Sequence, residues 1–226
     1  ALNPSKHIFI DNEELDISGY IGEHEEWAIA ISGRTFKADY FRWNGKLNEE
    51  YSKFYYLNNN NNLVYEETTK LNKKGDNFWH TVIVKDEFYD GVISENFDEG
   101  TLFKDENKIK IHKELESELN NRLKEKRRPF LHAKAVQYIE KCQDNKTFPH
   151  FKNNVWDNTR KRELENLVIE FYEVEPQIFI SLSQKQQKVL LALLNLIMDT
   201  EARNDLFAIL DEVVELEDSD RNTFAN

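Results

Sequence analysis

The sequence contains little cysteine, glycine and proline, and each scarcity excludes a class of protein. Its single cysteine, Cys142, cannot form an internal disulfide framework or a cysteine-rich zinc site, and it favours a reducing compartment, so we expect a cytoplasmic protein. With 7 glycines and 4 prolines among 226 residues, the chain does not have the composition of a flexible or proline-rich protein. We expect no membrane partner, because no run approaches the roughly 20 apolar residues of a spanning helix and the first residues do not resemble a signal peptide.

The sequence motifs of common catalytic sites are also missing. There is no GxSxG nucleophile motif, no Walker phosphate loop and no GxGxxG dinucleotide motif. None of the 6 histidines has the close spacing of a zinc ligand pair, and the cluster at His24, Glu25 and Glu26 is typical of a polar turn before a strand. His80 lies in an apolar stretch, where a sheet hydrogen bond is its expected role. We therefore predict no metal site and no catalytic residue in this segment.

Charge is distributed unevenly along the chain. The net charge of −12 argues against general nucleic-acid coating. Residues 104–162 nevertheless carry 16 basic and 9 acidic residues, between two acidic regions. Two interpretations stay open, namely a solvated or internally paired helix face, which we favour, and a surface for an anionic partner such as nucleic acid or an acidic protein. The basic residues of such a surface are Lys124, Lys126, Arg127, Arg128, Lys134, Arg160, Lys161 and Arg162.

The first half of the chain has the pattern of a β-sheet. Stretches rich in β-branched and aromatic residues alternate partly with polar ones, and glycine turns and an asparagine run at 58–62 separate them. We expect an antiparallel or mixed sheet. The predicted strands lie within residues 7–10, 25–43, 53–57, 62–67 and 78–88.

The second half has helical spacing. From about residue 108 apolar residues recur every four positions, as Leu115, Leu119 and Leu123 do, and Pro129 is expected to kink or restart this helix. After a break at 144–154, the further helices are predicted from Asn158 or Thr159 to Val174, from Ser183 onward, and from about Glu201 to Leu216. The fold class is therefore α+β, with a mixed-sheet domain at 1–128 and a helical domain at 129–226.

A cysteine nucleophile is one catalytic interpretation of these residues. Cys142 with His132 or His150 as a base would supply the reacting groups. The cysteine lies on a predicted amphipathic helix with no oxyanion-hole motif nearby, so packing in a core is its favoured role.

A metal-dependent nuclease is the other catalytic interpretation. Asp86, Glu87 and Asp90, with Lys85, follow the strand TVIV, and clustered carboxylates with a lysine suit magnesium-assisted phosphodiester cleavage. No second strand with a carboxylate and a lysine two residues apart accompanies them. A polar turn at the strand end is therefore favoured, and the nuclease is the weaker alternative.

Several segments, taken in order, resemble one protein family. SKFYYLNNNNNLVYEETTKL at 52–71 is a strand, an asparagine turn and a strand, and FWHTVIVKDEFYDGVISENFDEGTLF at 78–103 is a strand, an acidic aromatic turn and a Thr-x-Phe element. With the helix IKIHKELESELNNRLKEKRRPF that follows, they resemble the transducer domain of bacterial GHKL-type ATPases, the superfamily of gyrase, heat-shock-protein-90 chaperones, histidine kinases and MutL, including its MORC-like members. The tail from LSQKQQKVLLALL onward resembles helical segments that follow the transducer and also occur in phage-defence proteins.

The resemblance implies a βαβ transducer fold that does not bind ATP by itself. The asparagine-bearing helix and the DxGxG turn of the family's ATP-binding domain are absent from these residues. We therefore expect a non-catalytic fragment of a longer ATPase, with ATP and magnesium held by the missing domain. Its implied partners are an adjoining domain, a client protein or a second copy of the chain.

The resemblance also implies a basic residue that reaches the γ-phosphate of the nucleotide. In the family an arginine precedes the Thr-x-Phe element, and this sequence has Gly100 there. Other basic residues in predicted turns are then the candidates for the nucleotide-phosphate contact. They are Arg34, Lys73 and Lys74.

Overall fold

The chain folds into a mixed β-sheet followed by helices. The computed structural model describes residues 9–10, 13–14, 18–46, 52–72, 75–92, 105–198 and 200. Its strands are β1 (Phe9–Ile10), β2 (Glu13–Glu14), β3 (Ile21–Ile31), β4 (Arg34–Trp43), β5 (Lys53–Leu57), β6 (Leu63–Thr68) and β7 (His80–Lys85). Its helices are α1 (Glu106–Asp144), α2 (Val155–Val174), α3 (Gln177–Ile180) and α4 (Gln184–Ile197). The predicted α+β class is therefore confirmed.

The main sheet has five strands in the order β3-β4-β7-β5-β6. Three neighbouring pairs are antiparallel, whereas β5 and β7 are parallel. The tight turn between β3 and β4 consists of Ser32 and Gly33, both with positive φ, which suits the right-handed twist of a hairpin. In the asparagine run, Asn61 also has a positive φ of 64°, and the side chain of Asn58 accepts backbone N–H bonds from Asn60 and Asn62.

One face of this sheet carries an apolar core. Alternate residues of β7 are buried, and their neighbours in β4 and β5 are buried in register, as Val84 opposite Ala38 and Tyr56 shows. The first part of α1 contributes Leu115, Leu119 and Leu123, each fully buried. Burying a leucine stabilises a fold by about 1.5–3 kcal/mol. The four-residue spacing in the sequence therefore marks the face of α1 that packs in this core, because residues four apart lie on the same side of a helix.

Helix α1 runs without interruption through Pro129. The restart expected there does not occur. Proline removes the N–H that would bond to the carbonyl of Glu125, four residues earlier, and its ring crowds that carbonyl, yet the helix continues on both sides of Pro129. The chain divides into two compact units, 1–73 with 77–125 and 74–76 with 126–226, and one boundary between them falls within α1.

The second unit is a helical core. Its apolar side chains come from the second part of α1 and from α2, α3 and α4. Helix α2 begins earlier than expected: Asn154 is its N-cap and accepts the N–H of Asp157, whereas Asn158 lies inside the helix. Ser183 precedes α4 as predicted, and its backbone N–H bonds to the side chain of Gln186. The buried cluster comprises Leu131, Ala135, Tyr138, Ile139, Cys142, Phe148, Leu164, Leu167, Val168, Phe171, Tyr172, Phe179, Leu191 and Leu194.

Several predicted features lie outside the described residues. They include the helix expected at 201–216 and the Thr-x-Phe element at 101–103. Across the part of the chain that is described, no helix has both the length and the apolar character needed to cross a membrane.

Candidate functional site

Arg34 stands at one end of the sheet, directly after the β3–β4 turn. Its Nη2 lies 2.7 Å from Oδ1 of Asp86 and 2.8 Å from Oε1 of Glu87, the two residues that follow β7. The guanidinium carbon is 5.7 Å from the ring centres of both Phe36 and Phe88, within the range of cation–π attraction. Arg34 is therefore held by two carboxylates and two aromatic rings, with 34% of its side chain exposed.

The turn after β7 is well ordered by its own hydrogen bonds. Asp86 accepts the backbone N–H of Phe88 at 2.7 Å and caps the short 3₁₀ turn at Glu87–Tyr89. Asp90 accepts the N–H of Asn59 at 2.9 Å, which ties this turn to the asparagine run between β5 and β6. The ammonium of Lys108, near the start of α1, lies 5.4 Å from the ring centre of Phe88. The turn after β7 thus contacts Arg34, the asparagine run and the start of α1.

The carboxylates named for a nuclease have protein partners in this turn. Asp86 and Glu87 bind Arg34, and Asp90 binds a backbone amide. Within the described ranges, no three histidine, cysteine, aspartate or glutamate residues come together in a way that could hold a metal ion. This arrangement fits the polar turn that the sequence favoured.

A polar cluster lies beneath the first part of α1. The hydroxyl of Tyr56 donates to Glu67 at 2.6 Å, and the hydroxyl of Tyr89 lies 3.2 Å from Nδ1 of His112. Burial raises the pKa of Glu67 and of both tyrosines, and burial lowers the pKa of His112 to about 4, although Glu116 acts in the opposite direction. Tyr56, Tyr89 and His112 are buried in the first unit and Glu67 is half-buried beside them, so the cluster suits a structural role.

The histidines singled out in the sequence have ordinary structural surroundings. His80 is 1% exposed, and its ring nitrogens lie 2.8 Å from Oγ1 of Thr69 and 2.7 Å from the carbonyl of Phe78. His24, Glu25 and Glu26 lie within β3, so the turn expected there before a strand is wrong. His24 is exposed and stacks on Phe41, with a ring separation of 4.4 Å.

Cys142 is part of the helical core. It is 1% exposed and belongs to the buried cluster of the second unit. His132 is bonded instead to Glu173, with Nδ1 2.7 Å from Oε1. The packing role expected for Cys142 is the one that its surroundings suit.

Arg34 is described by the structure, whereas the other two candidates for the phosphate contact, Lys73 and Lys74, lie outside the described residues. Arg34 is therefore the candidate whose surroundings the structure describes.

The basic residues of the predicted anionic-partner surface lie in several different environments. Arg127 is buried against Asp76, and Arg128 pairs with Glu173. Lys134 lies over the ring of Phe130. The half-buried Lys124 and Lys126 lie on α1, and Arg162 is exposed on α2.

Arg160 and Lys161 are the members of that set on the side of α2 near α4. Arg160 donates from Nε to Oδ1 of Asn195 at 2.9 Å. Lys161 lies 3.5 Å from Glu165 and lines a groove of about 680 Å³ in the helical unit. The other lining residues are Gln143, Lys146, Thr147, Phe148, Pro149, His150, Phe151, Lys188, Ala192 and Asn195.

Lys146, His150 and Lys188 are not among the residues predicted from the sequence for a binding surface. They come from the loop after α1 and from α4, and only the packing of the helices brings them to one groove with Lys161. A usable signal was the break at 144–154, because a loop between helices that contains Lys146, His150 and two phenylalanines is a common place for a binding residue.

Comparison with known proteins identifies no relative of this chain. No protein-family model matches it, and neither a curated protein nor a solved structure matches it significantly.

Proposed function

We propose that this chain is a non-catalytic coupling module of a bacterial GHKL-type ATPase. In this proposal an ATP-binding domain holds ATP and magnesium, and the module relays nucleotide-driven closure to a partner protein or to a second copy, in a setting such as phage defence. Support comes from the mixed sheet with a helix on one face and from the order of its segments. Closure of this kind is a shift between two states, so the module must make some contact in one state only.

Arg34 is the residue that we assign to that contact. It lies against Asp86, Glu87 and Phe88, the start of the turn that resembles the family's acidic aromatic turn. In the sequence that turn is followed, at Gly100, by the position where the family has an arginine. The guanidinium of Arg34, which lies against the start of that turn, would supply the missing positive charge, and its planar fork binds phosphate oxygens as well as carboxylates. This placement of Arg34 is the observation that carries the proposal.

The carboxylates of Asp86 and Glu87 would allow Arg34 to bind the nucleotide in one state only. In the structure they hold Arg34, and a nucleotide phosphate would compete with them for the guanidinium. Glu87 is 72% exposed and is the weaker of the two holds, whereas Asp86 is 13% exposed and also caps the turn. Replacing Glu87 with Gln should therefore ease the transfer of Arg34 and raise nucleotide affinity, without loss of the turn.

The first test compares the protein encoded by the complete natural gene with this chain alone. We expect the complete protein to hydrolyse ATP and to dimerise more strongly with a non-hydrolysable ATP analogue, and this chain alone to do neither. Steady-state hydrolysis and light scattering after gel filtration measure both properties. If the complete protein ignores ATP, or if the gene encodes only these residues, the assignment to GHKL ATPases is wrong.

The second test addresses Arg34 in the complete protein. Removing one positioned donor to a developing charge typically lowers kcat about 100-fold, so Arg34→Ala should have an effect of that size and Arg34→Lys a smaller one. The matched control is Lys37→Ala, because Lys37 is an exposed basic residue of the same hairpin. Equal hydrolysis by the Arg34→Ala and Lys37→Ala variants would exclude Arg34 from the phosphate contact while leaving the family assignment standing.

A further inference from the structure

The groove of the helical unit combines an apolar floor with basic side chains. Phe148, Pro149, Phe151 and Ala192 line it together with Lys146, Lys161, Lys188 and His150. Its volume of about 680 Å³ lies within the range of pockets that hold small ligands or short peptide segments. No aspartate or glutamate is among its described lining residues.

Among the described residues, the basic side chains of this groove have few acidic partners. In the part of the chain that the structure describes, neither Lys146 nor Lys188 forms an ion pair or a side-chain hydrogen bond. Lys161 does lie 3.5 Å from Glu165, and that carboxylate also accepts a 2.8 Å hydrogen bond from Gln143. Three ammonium groups therefore line one groove, and within the described part of the chain Glu165 is the carboxylate that pairs with one of them.

The backbone at Lys146 gives a second indication. Lys146 follows the end of α1 with a φ of 61°, the left-handed conformation that glycine or asparagine normally supplies at this position. A lysine there is strained by its Cβ atom, and yet it places a charged side chain at the groove. Residues with strained backbone occur preferentially at binding and catalytic sites, so the strain at Lys146 supports a binding role for the groove.

We propose that this groove binds an acidic segment of a partner protein that also carries an apolar side chain. The apolar side chain would lie on Phe148, Phe151 and Ala192, and carboxylates would pair with the lysines around them. This places the anionic partner at Lys146, Lys161 and Lys188 instead of along the basic face of α1, where Arg127 and Arg128 already have carboxylate partners.

An acidic peptide suits the groove better than a polynucleotide does. A nucleic acid strand needs a continuous basic track over about 4–16 nucleotides. Here the same helices carry exposed carboxylates outside the groove lining, with Glu140 and Asp144 near the end of α1 and Glu163 on α2. A short acidic peptide can contact the groove lysines without extending over those acidic residues.

The test uses the whole chain and a fluorescein-labelled 12-residue peptide of glutamate and aspartate with a central leucine and phenylalanine. Fluorescence anisotropy should show saturable binding that weakens with salt. The double variant Lys161→Ala, Lys188→Ala should bind at least about tenfold more weakly, because it removes two charges that face the ligand. Lys146→Gly should also weaken binding without unfolding the chain.

The matched control is the double variant Lys134→Ala, Lys185→Ala, which removes two exposed lysines of the same unit that do not line the groove. Its affinity should stay within twofold of the unmodified chain. A peptide in which every carboxylate is an amide should not bind. Absence of binding, or equal weakening by both double variants, would overturn the proposal, and so would tight binding of a dT12 oligonucleotide that depends on Lys161 and Lys188.

Discussion

Arg127 and Asp76 form an ion pair inside the helical unit, although 51 positions separate them in the sequence. The Nε atom of Arg127 donates to Oδ2 of Asp76 at 2.8 Å, and the two side chains are 9% and 4% exposed. Nη1 also donates to the backbone carbonyl of Glu173 at 3.3 Å. The pair thus connects α1 to α2 and to the short segment that contains Asp76.

Breaking this pair from one side should be more harmful than removing both partners. Asp76→Ala leaves a buried guanidinium without its carboxylate, and such a change typically lowers the free energy of unfolding by about 3–5 kcal/mol. The double variant Asp76→Leu, Arg127→Met removes both charges and should lose much less. Urea denaturation followed by circular dichroism measures both values. A loss below about 1 kcal/mol for Asp76→Ala would contradict the buried pairing.

The stability of the first unit should fall as the pH falls from 7 to 5. Burial lowers the pKa of His112 to about 4, whereas an unfolded histidine has a pKa of about 6.5. A proton therefore binds His112 more tightly in the unfolded chain than in the folded one. The free energy of unfolding is highest above pH 6.5 and falls as the pH falls toward 4. The loss is about 2 kcal/mol between pH 7 and pH 5 by linkage.

The variant His112→Gln isolates this effect, because glutamine does not titrate and can still bond to Tyr89. Its unfolding free energy should change less between pH 7 and pH 5 than that of the unmodified chain. Glu67 acts in the opposite sense, since burial raises its pKa, so the comparison between variants is the informative quantity. The control is His150→Gln, which replaces an exposed histidine. Equal pH dependence in all three proteins would show that His112 is not the responsible group.

Local sequence patterns predicted most of the strands and helices, whereas contacts between residues distant in the sequence could not be predicted from them. The strand at 53–57 was predicted to the residue because its alternation of buried and half-buried side chains is strict. The start of α2 was four residues off, because Asn154 and Asn158 are equally good caps by residue type and only the structure shows which one binds an amide. Asp76 had no local signal as the partner of Arg127, since the pairing spans 51 positions. The groove lysines are likewise distant from one another in the sequence.

The thiol of Cys142 should report the opening of the helical core. It is the chain's single cysteine and is 1% exposed, so a thiol reagent must wait for local unfolding. We expect native protein to react about 100-fold or more slowly than protein in denaturant. Leu191→Ala should accelerate the reaction, because removing a fully buried leucine costs about 2–5 kcal/mol, whereas Leu193→Ala, at a residue 52% exposed, should not. Rapid reaction of the native chain would contradict the burial.

The left-handed backbone at Lys146 predicts that stability and binding respond oppositely to one substitution. With φ at 61°, the Cβ atom of lysine is strained, and glycine removes that strain but gives the unfolded chain more freedom. The net effect of Lys146→Gly should be a gain of about 0.5–1 kcal/mol in unfolding free energy. Lys146→Ala is the matched control, since it removes the charge but keeps the Cβ atom. Its stability should stay near that of the unmodified chain, while both variants bind the acidic peptide more weakly. Equal stability of the glycine and alanine variants in thermal denaturation would show that the backbone at this position stores no strain.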